Sequence, residues 1–196
     1  MDERIERAEK QERRNIKDAI VDNRFDLLNS FTVTVPKDYN HDTQLSAFAK
    51  YAKEKKENLR HYNDNINDKN FEKATRKLMP GKTYAVKIFG IESGSVVTSG
   101  DCMDFLKTQK AVLVGAQGMS LAVQFKKEEF PTEKYIVSFD EEDALWEDAG
   151  GFRGVPCVIL GSGGSWYFGL GRFKGAWIDG GCLLCFFDLP VGDAGK

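Results

Sequence analysis

The sequence predicts an α+β protein in which an N-terminal helical region, two to three helices and one short strand, packs on a C-terminal, mainly antiparallel glycine-rich β-sandwich or partly open barrel. Three observations predict it. All 19 glycines of the 196-residue chain follow residue 80. The three tryptophans and four cysteines respect the same boundary. Apolar residues recur at helical spacing before it and mostly at strand spacing after it. The expected organisation is a helical region over 1–80, a candidate docking or dimerisation arm, then a β domain over 81–190 with a short helix near 101–108, and a flexible tail over 191–196.

Residues 2–29 read as a helix, with Ile16, Ala19, Ile20, Leu27 and Leu28 forming an apolar stripe behind a charged leading segment. Phe31–Val35 then switches to period two and is rich in β-branched residues, which predicts a short strand ended by Pro36. Asp42-Thr43 supplies the N-cap of a second helix. Leu45, Phe48, Ala52, Leu59, Tyr62 and Ile66 give it a heptad-like seam, with Lys55 in the one missing slot. Asn63–Asp68 marks its end, because Asn and Asp compete with helical hydrogen bonding. A last short helix is expected over 69–78, inward through Phe71, Ala74 and Leu78, and closed by Met79-Pro80-Gly81.

Beyond the boundary, Tyr84–Phe89 reads as a strand and Asp101–Thr108 as a short helix capped by Ser99 or Asp101. Ala111–Val114 and Leu121–Phe125, linked by Gly115–Gly118, predict a hairpin. Tyr135–Phe139, Val155–Leu160, Trp166–Leu170 and Leu183–Phe187 complete the predicted strands. Crossover helices long enough for parallel pairing are not evident, so antiparallel order is expected.

The motifs that suggest chemistry are each better explained structurally. Gly161-Ser162-Gly163-Gly164-Ser165 follows an apolar strand as a phosphate loop would, but no helix or Gly-Lys-Ser/Thr ending follows, so a hairpin turn is expected. Cys182 and Cys185 have the spacing of half a zinc site, yet they lie in strand-like text where residues three apart face opposite ways. Cys102 sits near a helix start between Asp101 and Asp104, which oppose thiolate formation, and the two histidines lie in the other half. The acidic run Asp140–Asp148 is expected to cap and open a short helix with Leu145-Trp146 turned inward.

These readings assign no catalytic residue, no metal ligand and no cofactor. The expected contact surface is instead aromatic: Trp166, Tyr167, Phe168, Phe173 and Trp177 crowd one glycine-rich stretch, and alternation sends them to both faces of a strand. The functional expectation is a non-enzymatic cytoplasmic binding protein of adaptor or inhibitor type, contacting another protein or a second copy of itself. The alternatives are a small hydrolase using acids from 140–148 with aromatic substrate contacts, or nucleic-acid binding through Lys50, Lys53, Lys55, Lys56 and Arg60. Glu54 and Glu57 interrupt that basic cluster. The formal charge of −2, from 28 basic and 30 acidic residues, calls for neither nucleic acid nor an anionic membrane. The charged N-terminal text argues against a secretory leader, and four sparse cysteines argue against a disulfide framework.

Overall fold

Strands dominate the computed structural model, which describes residues 22–54, 58–161 and 163–189. In chain order the elements are β1 (Phe25–Thr34), α1 (Gln44–Glu54), β2 (Leu59–Tyr62), β3 (Thr83–Ile91), β4 (Val96–Thr98), α2 (Ser99–Thr108), α3 (Gly115–Lys126), β5 (Tyr135–Val137), β6 (Trp146–Glu147), β7 (Arg153–Leu160), β8 (Trp166–Arg172), β9 (Ala176–Ile178) and β10 (Gly181–Asp188). Eight of these strands form one sheet in the order β1-β3-β10-β5-β7-β8-β2, with β6 beside β7; β4 and β9 form a separate two-stranded sheet. The sheet is mixed. β10 runs parallel to β5 and β2 runs parallel to β8, while the remaining pairs are antiparallel.

Both faces of the large sheet are apolar, and each has its own cover. Along β10, Cys182, Leu184 and Phe186 enter one core with α1 and α3. Leu183 and Cys185 enter the other with α2, Val97 of β4 and Trp177 of β9. The period-two alternation of a strand produces this division directly. Burying a large apolar side chain contributes roughly 1.5–3 kcal/mol, so neither face could be left bare.

The expected helical N-terminal region on a C-terminal sandwich or barrel is overturned. The overall class is α+β, but strands from both sides of residue 80 share one mixed sheet. Phe25–Asn29, expected as the end of a helix, belongs to β1 and pairs with β3. A bulge at Leu28 explains the misleading pattern: it sends Phe25 into one core and Phe31 and Val33 into the other. The heptad-like seam also breaks. α1 ends at Glu54, and Leu59 and Tyr62 pack from an edge strand. No helix forms over 69–78, where turns carry Phe71 and Leu78 into the core.

The expected hairpin over 111–125 is instead the buried helix α3, approached through an isolated bridge between Val112 and Phe186. An apolar run buried on every side carries no period that separates strand from helix. The helix expected after Asp140 is reduced to a 3-10 turn at Glu142–Ala144 followed by β6. The short helix near 101–108 falls as α2, capped by Thr98, whose hydroxyl and the Asp101 carboxylate form a capping box. Residues 2–21, Lys55, Lys56, Glu57, Ser162 and the tail over 191–196 lie outside the described residues. No helix among the described residues is long and apolar enough to cross a membrane.

A groove along β9

The five sequence-predicted aromatics are not brought together on one face. Trp166 and Phe168 point into the first core, where Phe48 of α1 lies 5.8 and 5.6 Å from their rings. Trp166 is only 1% exposed, and its indole N–H finds no partner. Tyr167 faces the other side of β8 and is partly exposed. Phe173 packs on the second core, 6.3 Å from Phe139. Trp177 lines an open groove.

That groove, about 510 Å³, runs between β9 with its turn into β10 on one side and the starts or ends of β5, β7 and β8 on the other. Trp177 and Tyr135 provide its aromatic floor, with ring centres 6.0 Å apart. The Trp177 indole N–H donates to Ser99 Oγ at 2.8 Å, and Ser99 donates onward to the Phe173 carbonyl, so the start of α2 fixes the ring. The Tyr135 hydroxyl is hydrogen-bonded to the Cys157 thiol, and burial pushes its ionisation far above the ordinary phenol range. Both rings can lie against β8 because residue 171 is glycine. A Cβ there would stand 2.5 Å from Tyr135 Oη and 2.7 Å from Trp177 Cη2.

Backbone geometry places β9 on this rim. The Arg172–Gly175 turn returns the chain from β8, and Gly180 at φ +90° turns it into β10. The Tyr135 N–H donates to the Gly180 carbonyl at 3.0 Å and ties the end of the groove. Every residue of β9 lines the groove, whereas no residue of its partner β4 does. Among the described residues β9 pairs with β4 alone, so its other hydrogen-bonding edge is shared with no strand. Ile178 of the groove wall pairs across the strands with Val96, and the two are 60% and 66% exposed. Lys134 and Arg172 contribute positive charge to the walls, opposed by Glu133 and Asp179.

The acids of 140–148 lie elsewhere. Asp143 and Glu147 line a separate cleft with Trp146 and Arg153, and neither Trp166 nor Trp177 contributes to it. Glu142 and Glu147 pair with Arg153, and Asp148 accepts the Gly150 and Phe152 N–H groups. Asp140 is buried and accepts the Thr75 and Glu141 N–H groups; desolvation raises its carboxyl to about 6. The four cysteines are buried, with burial raising each thiol above its usual range. Cys182 and Cys185 enter opposite cores. Among the described residues, no group of three or more His, Cys, Asp or Glu could hold a metal ion.

Sequence reasoning missed Tyr135, Lys134, Arg172 and the free edge of β9. The glycines at 171, 175, 180 and 181 were the available signal, since close approach of another chain segment is one reason for glycine in strand text. Comparison of the chain with protein-family models, curated proteins and solved structures finds no match.

Proposed function

We propose that this chain is a non-enzymatic binding protein whose groove takes an extended segment of a partner protein along the edge of β9. The observation that carries the reading is that β9, whose residues line the groove with Tyr135, pairs with β4 along one edge only among the described residues. An added strand would gain main-chain hydrogen bonds from that edge, and its alternate side chains would meet the aromatic floor. Apolar groups of the segment would continue over Ile178 and Val96, while Lys134 and Arg172 would receive an acidic group. The commitment of Glu142 and Glu147 to Arg153 and of Asp148 to turn amides favours binding over hydrolysis. Four free thiols support a reducing, cytoplasmic setting.

The test is selection of peptides from a random displayed library on the full chain, followed by titration of a recovered peptide into the isotopically labelled protein. Expected shifts concentrate at Lys134–Tyr135, Gly171–Arg172 and Ala176–Gly181. Failure to recover any saturable peptide, or shifts confined to another surface, would overturn the reading.

A further inference from the structure

The path of the large sheet ends in β1 and β2, and the two ends are guarded unequally. β2 spans four residues and carries exposed Arg60 and His61. β1 spans ten residues and, among the described residues, pairs with β3 alone. Shortness, charge and proline are what ordinarily keep a border strand from joining another chain. From Leu27 to Pro36 the chain carries no charge, and the proline comes only after β1 has ended. The bulge at Leu28 interrupts the ladder near its start, but Asn29–Thr34 continues beyond it in regular register.

The backbone groups on that border follow from the end of the strand. The Val35 N–H donates to the Lys82 carbonyl, and the Val35 carbonyl accepts the Gly81 N–H, so Val35 bonds toward β3. Alternation then directs the backbone groups of Phe31 and Val33 toward β3, and those of Ser30, Thr32 and Thr34 away from it. The Ser30 N–H has the same parity, since it donates to the preceding Asn29 side chain. Ser30, Thr32 and Thr34 are all exposed.

The two ends of this border complement each other. At the start, Leu28 is exposed and lies on the first-core face, because it covers Gly90, whose partner Cys182 enters that core. Past the far end, a recess of about 400 Å³ opens between Pro36 and α3, with Leu121 and exposed Phe125 in its wall. α3 packs on that same face. Asp26 at the start and Lys37 past the end are exposed and enter none of the ion pairs among the described residues. Asp38, next in the chain, lines the recess.

We propose that β1 is the interface of a homodimer, in which the β1 strands of two copies pair antiparallel about a two-fold axis at Thr32 and join the two sheets. Thr32 is the middle one of the three outward residues, so it lies opposite its own counterpart and Ser30 lies opposite Thr34 of the second copy. The same register brings Leu28 to Pro36 and the recess of the second copy, and Asp26 toward its Lys37. Knob and recess, and the opposite charges of Asp26 and Lys37, are thus matched twice by one symmetry operation. Because β2 is guarded, the assembly closes at two copies instead of growing into a fibre. The interface is separate from the β9 groove and does not depend on the peptide reading.

Sedimentation velocity of the full chain from micromolar to millimolar concentration is expected to show a reversible monomer–dimer equilibrium. Thr32→Pro removes an outward N–H without taking a bond from β3, so it should weaken dimerisation about tenfold or more and leave a cooperative thermal transition. Thr32→Lys sets like charges opposite each other across the axis and should do the same, which keeps the test if the proline variant fails to fold. Cross-linking reads the register, since the four native thiols are buried. Under mild oxidation by copper phenanthroline, Thr32→Cys should link two copies, whereas Ser30→Cys, whose counterpart lies out of reach, should not. A strict monomer throughout, a dimer that folded Thr32→Pro or Thr32→Lys leaves intact, a dimer dissolved instead by Ile178→Asp, or equal cross-linking of the two cysteine variants would overturn the proposal.

Discussion

Replacing Gly171 with alanine tests how tightly the groove floor is built. Alanine in place of a strand glycine ordinarily gains roughly 0.5–1 kcal/mol from reduced backbone entropy. Here the new methyl would lie 2.5 Å from Tyr135 Oη, 2.7 Å from Trp177 Cη2 and 3.1 Å from Trp177 Cζ3. Carbon atoms in good contact sit about 3.5–4.0 Å apart, so both rings must retreat by about 1 Å. The Ser99 hydrogen bond and the edge-on Phe139 ring at 5.6 Å resist that movement of Trp177. Overpacking of this kind costs about 1–3 kcal/mol, which exceeds the entropic gain. The net expectation for Gly171→Ala is destabilisation by about 1–2 kcal/mol, or a fall in Tm of about 2–8 °C for a chain of this length. Reversible thermal unfolding and urea titration would measure it. Tyr135→Phe removes the nearest atom, so Gly171→Ala should be less damaging in that background, with a coupling of about 1 kcal/mol. A variant as stable as the parent, with effects that simply add, would refute the packing argument.

Three further outcomes follow from the same structure. Ile178→Asp should change stability by less than about 1 kcal/mol, because the side chain is exposed, yet weaken a groove-binding peptide about tenfold; calorimetric titration reads both effects apart. Burial raises Cys157 and Cys182 to about 11 and Cys102 to about 12, and pushes Cys185 higher still. An aromatic disulfide reagent at mildly alkaline pH should therefore leave all four thiols unlabelled until urea unfolds the chain; rapid native labelling would contradict this. Desolvation raises the Asp140 carboxyl from 3.8 to about 6, so its stabilising contribution is complete below about pH 3.8 and is lost as pH rises through about 6. Asp140→Asn keeps an uncharged acceptor for the Thr75 and Glu141 amides, and its advantage over the parent should grow across that window to about 2–3 kcal/mol. Denaturant titrations giving the same difference at pH 4 and pH 7 would exclude the assignment.

The legible parts of the fold were those with a clean local period or cap. Tyr84–Phe89 alternates and lies within β3, and the Thr98–Asp101 box opens α2 close to where acidic and hydroxyl residues announced a cap. The illegible parts were set by tertiary contacts. Leu28 bulges β1 so that one apolar parity serves two cores, which no single-face pattern describes. Gly118 reads as a turn residue, but in α3 it makes room for Val114, whose Cγ2 would lie 2.0 Å from an added Cβ. Leu59 and Tyr62 fit a heptad by spacing, yet pairing with β8 overrides it.

At the site, the concentration of aromatics was visible, but their partition was not. Trp166 and Phe168 meet Phe48, more than 100 positions earlier in the chain, and no local pattern encodes that contact. The free edge of β9 emerges only from its pairing with β4 across the chain, Val96 to Ile178.

Amide hydrogen exchange along β9 tests the central claim most directly. In the free protein, the amides of Ala176–Ile178 that are not bonded to β4 should exchange rapidly, since among the described residues no strand pairs with that edge. Saturation with a selected peptide should slow those amides selectively, together with alternate amides of the peptide itself, as an added strand requires. Unchanged exchange along β9 at full peptide occupancy would contradict strand addition.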